Sequence, residues 1–251
     1  MKFLVTVKEV TDYEAKIRLK PDGSGIEMDG VEFKLNPFDE NAIEEALRLQ
    51  EKHGGEVVLV SIGNENVTTR IRTGLAMGAD RGILVAADDA ALDGDLVART
   101  LAKVYEREQP TLVILGKQAV DGDSNQAGQL LAEYLGLPQA TFASKIELDS
   151  DGSAATVTRE VDGGLETIKV TLPAVVTADL RLNEPRYASL PGIMKAKRKP
   201  IDQLSLSELG LDSTLKVKTV KLEYPAERKA GVKVDSVDAL VDKLQNEAKV
   251  L

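Results

Sequence analysis

A polar, glycine-punctuated stretch near the middle of the chain holds residue types suited to a bound anion. It reads Gly116-Lys117-Gln118-Ala119-Val120-Asp121-Gly122-Asp123-Ser124-Asn125-Gln126-Ala127-Gly128. The stretch follows an apolar run, Thr111–Leu115, and leads into a helical pattern that starts near Ser124–Gln126. In open parallel sheets, ligands sit beyond the carboxyl ends of strands. Gly116 permits close backbone approach, and a helix N-terminus offers free N–H groups to an anion. Ser124, Asn125 and Gln126 are short donors at the place where a phosphate would lie. Asn36-Pro37-Phe38-Asp39 starts another helix and can face the same crevice. The same loop also suits an Asp-Gly turn with an Asp or Ser helix cap and no ligand, so on its own it leaves both readings open. It is neither the dinucleotide fingerprint nor the phosphate-binding P-loop.

Other chemistries lack their residues. There is no Cys, which excludes disulfides, thiolate metal sites and thiol catalysis. His53 is the single histidine; it precedes Gly54-Gly55, where a helix should end, and reads as a solvated last-turn residue. The sequence has no Gly-x-Ser-x-Gly elbow and no metal-ligand cluster, so an independent hydrolase or transferase is unsupported and no metal site is expected. A net charge of −9 argues against general nucleic-acid binding, which wants a basic face. No apolar stretch approaches the ~20 residues needed to span a bilayer. Met1–Val7 reads as a first strand rather than a secretory signal, and the expected location is the cytoplasm or an equivalent reducing compartment.

The elements that must position the polar loop are legible in outline. With 43% hydrophobic residues in 251, a sizeable core can be buried; with 4% aromatics and no Trp, it must be built from Val, Leu, Ile and Ala. Unbroken apolar runs at Phe3–Val7, Val57–Ile62, Gly82–Ala86, Thr111–Leu115 and Ala174–Ala178 suit strands covered on both faces. Between them lie helical patterns. The first follows Asn36 as cap and Pro37 at the first helical position, with Ala42, Ile43, Ala46 and Leu47 as its apolar stripe. Others cover about 66–77 and 94–108, and a fourth has Leu130, Leu131, Tyr134 and Leu135 facing inward. Hairpins are expected over 16–34, around Pro21-Asp22-Gly23, and over 154–172, around Asp162-Gly163-Gly164.

Strand alternating with helix predicts an α/β fold: an open, mostly parallel sheet with helices on both faces, plus β-hairpins and a C-terminal arm. The expected division is a nucleotide-binding domain over 1–199, including a loop at about 184–199, and an arm over 200–251 that packs on the domain or on a partner. Leu204–Leu209 and Val237–Leu244 are amphipathic pieces of that arm, separated by Pro225 and Gly231.

The densest signal lies between Val157 and Lys199. It comprises Val157-Thr158-Arg159-Glu160-Val161-Asp162-Gly163-Gly164 and then Leu172-Pro173-Ala174 through Asp179-Leu180-Arg181-Leu182-Asn183-Glu184-Pro185-Arg186-Tyr187-Ala188-Ser189-Leu190-Pro191-Gly192-Ile193-Met194-Lys195. This segment closely resembles the signature region of electron transfer flavoprotein β subunits. The resemblance extends to Val7-Lys8, Asp12-Tyr13, Asn36-Pro37-Phe38, Ala76-Met77-Gly78-Ala79-Asp80, Gly116–Gly128 and Ala230-Gly231-Val232-Lys233-Val234.

The resemblance implies a small subunit paired with a larger α subunit that supplies most of an FAD site. It implies that the flavin takes electrons from acyl-CoA and related dehydrogenases and passes them to a membrane quinone oxidoreductase. The branch this chain is most similar to buries one AMP of structural role. The positions matching its pocket are Thr6, Asn36, Pro37, Phe38, Asp39, Ile62 and the run from Gly116 to Ala127. At Thr6 and Ile62 the side chains depart from the family's, so backbone or packing contacts are expected there.

Tyr13 matches a tyrosine near the flavin ring, and Glu160 a glutamate that steadies the mobile flavin domain. Leu190 matches the anchor of a recognition loop that also takes in Pro191, Ile193, Met194 and Lys195. Read without the family, Tyr13 is a half-buried packing residue, Glu160 a solvated strand carboxylate and Leu190 a core residue after a turn. The basic run Lys195, Lys197, Arg198 and Lys199 is either a solvated face or a steering patch for an acidic partner.

Two rivals differ in what they bind. A bifurcating flavoprotein would hold a second FAD where AMP is expected, but Asp121-Gly122-Asp123-Ser124-Asn125-Gln126 and the Leu190 segment match the simple carriers better. A nucleotide-sensing module resembling universal stress proteins would be shorter, would lack 157–199 and would need no flavin partner.

Overall fold

The computed structural model describes residues 1–88, 91–228 and 230–251. They divide into two compact units, one of residues 1–16 and 28–219, the other of residues 17–27 and 220–251.

The first unit is built on a nine-stranded sheet. Its strands are β1 (Lys2–Thr6), β4 (Glu56–Gly63), β5 (Arg81–Ala86), β6 (Leu112–Gly116), β7 (Gln139–Leu148), β8 (Ala154–Val161), β9 (Gly164–Thr171), β10 (Ala174–Ala178) and β11 (Ile201–Ser205). They lie in the order β11-β5-β4-β1-β6-β10-β7-β8-β9, parallel from β11 through β7 and antiparallel at the β7–β8–β9 end. Two short strands, β2 (Glu9–Thr11) and β3 (Phe33–Leu35), pair antiparallel in a separate ribbon. The helices of this unit are α1 (Pro37–His53), α2 (Thr68–Met77), α3 (Gly94–Glu108), α4 (Ala127–Leu135) and α5 (Leu190–Ala196). The expected α/β fold is what the chain adopts.

Why the central strands read as unbroken apolar runs is visible in the core. One side chain set (Phe3, Val5, Val57, Leu59, Leu112, Ile114) packs with Ile43 and Leu47 of α1 and Ile71 and Leu75 of α2. The alternate set (Leu4, Val58, Val60, Val113, Leu115) packs with Leu101 and Val104 of α3 and Leu131 of α4. Each strand is covered on both faces, so period-2 alternation disappears. Full burial of each such side chain contributes about 1.5–3 kcal/mol. α3 starts where the sequence says it should: the Asp93 carboxylate accepts the Leu96 N–H at 2.8 Å, and the helix ends at Gln109 in the left-handed region.

The chain runs outward from β1 through β4 to β5, then returns by α3 to place β6 on the other side of β1. That reversal opens a crevice between the carboxyl ends of β1 and β6, which is the ligand position of doubly wound sheets.

Several expectations need correction. The hairpin over 16–34 is reduced to one bridge between Leu19 and Ile26, within the second unit. Its outer arm is broken by a turn at Asp29-Gly30, with Gly30 at φ 72°, and Phe33–Leu35 pairs with Glu9–Thr11 instead. Tyr134 is not on the inner face of α4; it is exposed and donates its hydroxyl to Asp95 at 2.5 Å. His53 is half-buried in the last turn of α1 rather than fully solvated. Ile201–Ser205 adds a strand to the sheet edge beside β5, and the first unit continues to Thr219.

The second unit is slight. Besides the Leu19–Ile26 bridge, the Leu222 N–H donates to Gly23 O at 2.9 Å and the Leu19 N–H to the Tyr224 hydroxyl at 2.8 Å. Its helix α6 (Val237–Asp242), capped by Ser236, buries none of its residues. Among the described residues, no helix is long and apolar enough to cross a membrane.

Candidate functional site

The crevice is a cavity of about 440 Å³, within the range of roughly 300–1,000 Å³ typical of small-molecule sites. Thr6, Val7 and Lys8 at and just past the end of β1 form one wall, and Gly116 to Ala119 with Asp121 to Gly128, from the end of β6 onward, form another. Apolar side chains from Val60, Ile62, Val97, Leu101 and Leu115 line the floor and sides. Two helix N-termini converge on it, those of α3 and α4. They differ in one respect. α3 is closed by the Asp93 carboxylate, whereas α4 has no side-chain cap among the described residues and no acidic residue in its first turn. An uncapped, unneutralised helix start with free N–H groups favours an anion.

Three glycines are closely approached here, Gly116 and Gly128 by buried groups and Gly94 by the end of a flexible side chain. A Cβ on Gly116 would stand 2.6 Å from Asp39 Oδ1 and 2.7 Å from Phe38 Cβ, so only glycine lets α1 press against the end of β6. A Cβ on Gly128 would meet Thr177 Cγ2 at 2.6 Å, and one on Gly94 would meet Gln126 Oε1 at 2.9 Å. Asp123 and Asn125 both lie in the left-handed region, at φ 48° and 47°, which Asp and Asn tolerate better than most residues.

Two buried polar residues at the start of α1, Asn36 just before it and Asp39 in its first turn, brace the crevice. Asp39 accepts the Lys8 N–H at 2.8 Å, the Gly116 N–H at 3.0 Å and the Thr6 hydroxyl at 3.3 Å. It therefore ties the ends of β1 and β6 together. Burial pushes its carboxyl up to about 6, the bonds from Lys8 and Gly116 pulling the other way. Asn36 was expected to cap α1 with its side chain. Instead its Nδ2 donates to Gln118 O at 2.9 Å and its Oδ1 accepts the Val120 N–H at 3.3 Å, so it pins the 118–120 loop. The α1 start is served by its backbone carbonyl and by Pro37, which has no N–H to satisfy.

Lys8 pairs with Asp121 at 2.8 Å. Lys117 pairs with Asp179 at 2.8 Å and lies 5.3 Å from the ring centroids of Phe38 and Phe142. Although burial opposes it, Lys117 holds the Asp179 carboxyl below the usual range.

Of the residues predicted for this site, Thr6, Asn36, Asp39, Ile62 and the run 116–127 line the cavity, except Val120. Pro37 and Phe38 also stand behind the wall rather than in it. The contributions of α3 (Asp93, Gly94, Val97, Leu101) were not foreseen. The cap at Asp93 was readable, but its place beside the loop depends on the strand order.

Tyr13 lies elsewhere, exposed beside a smaller cavity of about 230 Å³ bordered by Lys34, Pro37, Glu40 and Arg70. The Lys34 ammonium sits 5.0 Å from its ring centroid and pairs with Asp12 at 2.9 Å. Glu160 on β8 is half-buried and pairs with Arg181 at 2.7 Å, so it is not a simply solvated carboxylate.

The segment read as a recognition loop is partly helical, as α5. Ser189 caps it by accepting the Gly192 N–H at 3.1 Å. Leu190 is 73% exposed and so is not a core residue; Ile193, Met194 and Tyr187 are exposed around it. Pro191, Lys195, Lys197 and Arg198 are exposed too. Lys199 is not: its ammonium donates to the carbonyls of Leu75, Gly78 and Ala79 at the end of α2, and burial pulls its pKa down.

Comparison with known proteins bears on both surfaces. Residues 25–209 match the family described as "Electron transfer flavoprotein domain". The whole chain is similar to "Electron transfer flavoprotein subunit beta" of Bradyrhizobium diazoefficiens, 60% identical over all of both chains. It is 54% identical to the mitochondrial "Electron transfer flavoprotein subunit beta" of Arabidopsis thaliana, again over all of both chains. It is 52% identical to the Homo sapiens subunit of that name, covering all of this chain and 99% of the other. With a family match that takes in the loop beyond β6 and α5, and full-length relatives at this identity, this chain belongs to the electron transfer flavoprotein family, as a β subunit.

Proposed function

We propose that this β subunit is an electron-carrier component rather than an enzyme, which binds AMP as a structural ligand and docks electron donors for a flavin shared with its α subunit. The observation that carries the AMP reading is the crevice at the strand-order reversal. It is an apolar slot that suits a base, and it ends at the uncapped start of α4, which suits a phosphate. Its residues fit such a group. Gly116 and Gly128 let Asp39, Phe38 and Thr177 pack where a Cβ would clash, which sets the walls of the slot, and Ser124, Asn125 and Gln126 supply donors.

In this reading FAD lies mostly in the α subunit, and when bound it supplies the redox chemistry. The roles of this chain are to bind, orient and insulate. Tyr13 is assigned to the neighbourhood of the flavin and Glu160 to steadying the flavin-bearing domain. Leu190, with Pro191, Ile193, Met194 and Lys195, is assigned to docking acyl-CoA and related dehydrogenases; electrons then leave to a membrane quinone oxidoreductase. One exposed leucine filling a partner's pocket contributes roughly 1.5–3 kcal/mol, which suits a transient complex. The C-terminal arm is assigned to the contact with the α subunit, an assignment supported by exposed apolar side chains at Val220, Tyr224, Val232 and Val237. The proposed location is the cytoplasm or an equivalent reducing compartment.

The test is to purify the tagged complex from its own cells, release nucleotides with acid and identify them by mass. One AMP and one FAD per complex is the expected result. A second FAD in place of AMP would make the crevice a redox site of a bifurcating carrier.

A further inference from the structure

The docking segment is held at both ends by charged side chains. On its N-terminal side, a polar stripe of α1 made by Asn41, Glu44, Glu45, Arg48 and Glu51 grips residues 180–186; the spacing of three and four places these residues on one face. Asn41 Nδ2 donates to Asn183 O at 2.6 Å, and Asn183 Nδ2 donates to Glu45 Oε2 at 3.0 Å. The Glu44 carboxylate, 3% exposed, is the centre of the grip. It accepts from Arg186 at the backbone N (3.1 Å), Nε (2.7 Å) and Nη2 (3.1 Å), and from Arg48 Nε at 2.6 Å. Arg186 also reaches Glu51 through Nη1 at 2.5 Å. On the C-terminal side, Arg72 Nη1 donates to Ala196 O and Lys199 O at 2.5 Å each, and Lys199 is itself bound to the end of α2.

Between the two grips lie the exposed Tyr187, Leu190, Ile193 and Met194. A buried ion pair adds little net stability compared with well-packed apolar residues, but it is directional. Apolar packing would hold this segment without fixing its register. A forked guanidinium on a buried carboxylate fixes both.

We propose that Glu44 and Arg186 are positioning residues for docking, holding α5 so that Leu190 meets the donor dehydrogenase in one orientation. The inference rests on the docking reading above. Neither residue touches the partner; both act by sparing α5 the cost of being ordered on contact. Burial pushes the Glu44 carboxyl up, but Arg186 and Arg48 outweigh it and hold it below the usual carboxylate range, so the grip is charged at neutral pH.

The experiment uses the assembled, flavin-loaded complex with an acyl-CoA dehydrogenase as donor, and reads KM for the flavoprotein, kcat and FAD content. Arg186→Gln is expected to raise KM about tenfold, with kcat within about twofold and FAD retained. Arg186→Lys, which keeps the charge but loses the fork, should fall between it and the wild type. The decisive comparison is a double-mutant cycle with Leu190→Ala. Because the grip acts through Leu190, Arg186→Gln should raise KM less than about twofold in that background. Equal factors in both backgrounds, or a lowered melting temperature with unchanged KM, would mean a structural role alone and overturn the proposal. If Leu190→Ala raises KM and Arg186→Gln does not, positioning fails while docking stands. If Leu190→Ala also leaves KM unchanged, the docking reading itself is wrong. Should Arg186→Gln fail to fold, Glu51→Gln loosens only the exposed half of the fork and is expected to raise KM about twofold to threefold; no change there overturns the proposal equally.

Discussion

The crevice and the segment proposed for docking lie in one compact unit yet are held in opposite ways. The crevice is concave, and its shape comes from where strands and helices end. Glycines let side chains pack close against backbone, and its braces, Asp39 and Asn36, bond to main-chain groups just beyond β1, at the end of β6 and in the 118–120 loop. The segment proposed for docking exposes apolar side chains, and in that reading those side chains make the contact. It is fastened by Arg186, Arg72 and Lys199 and leaves Leu190 and its neighbours in solvent. The titrations differ in the same way: burial raises the crevice acid Asp39, whereas arginine contacts lower the grip acid Glu44 despite its burial. A pocket that encloses a permanent ligand can be part of the fold. A surface for transient partners must stay exposed and yet ordered, so its order has to be imposed from its ends.

The largest test of this contrast is on the crevice. The Asp39 carboxyl has an ordinary value of 3.8 and is raised to about 6 in the folded chain, so between those values the native state holds a proton that the unfolded state has lost. Its contribution to stability is complete below the lower value and is lost as pH rises through the upper one, by up to about 3 kcal/mol. Asn cannot titrate. The stability of wild type minus that of Asp39→Asn, from urea unfolding at pH 4 and pH 7, should therefore fall with pH by that order. A pH-independent difference would mean that Asp39 is not a strained buried acid. The sign for Glu44 is opposite: its contribution is present at neutral pH and is lost on acidification.

Next in size is a test of the docking surface. Leu190→Ala removes exposed atoms, so folding stability should change by less than about 0.5 kcal/mol. Docking should weaken by roughly 2 kcal/mol, about 30-fold in KM, with FAD content intact. Lost FAD with unchanged coupling would move Leu190 from the docking surface to the cofactor site.

The sequence showed the crevice more clearly than the docking surface, and the reason is physical. Phe3–Val7, Val57–Ile62 and Ala174–Ala178 announce themselves because strands buried on both faces are apolar almost throughout, the small hydroxyl residues Thr6, Ser61 and Thr177 being the exceptions. Each proved to be a central strand within a residue or two. β7 escaped notice because Phe142 adopts a left-handed φ of 58° and the register with β10 shifts nearby, which breaks the period-2 pattern. β11 is an edge strand that reads Ile201-Asp202-Gln203-Leu204-Ser205, half exposed, and looks like any amphipathic piece. The loop 116–127 was found because glycines and short polar residues after a strand have local meaning. The wall from α3 was missed because only strand order brings Asp93 and Gly94 to that loop. The grip on α1 was invisible for the same reason: Glu44 and Arg186 stand 142 positions apart. Leu190 was singled out by family resemblance; nothing local distinguishes an exposed leucine at the start of a short helix from a buried one.

The smallest effect is expected where the two helix starts meet, and it separates fold from site most finely. Gly94 is the first residue of α3, and it has no φ in the left-handed region. Replacing it with Ala lowers the entropy of the unfolded chain and should raise stability by about 0.5 kcal/mol. The new Cβ would stand 2.9 Å from Gln126 Oε1, the far end of a flexible side chain, so Gln126 can swing away at little cost to the fold. It would then leave the start of α4, where it borders the proposed phosphate position. Gly94→Ala should therefore give a complex that is as stable as wild type or slightly more so, yet retains less nucleotide after desalting. Stability and retention moving together would mean that Gly94 serves only the packing of α3; moving apart, they place Gln126 at the ligand.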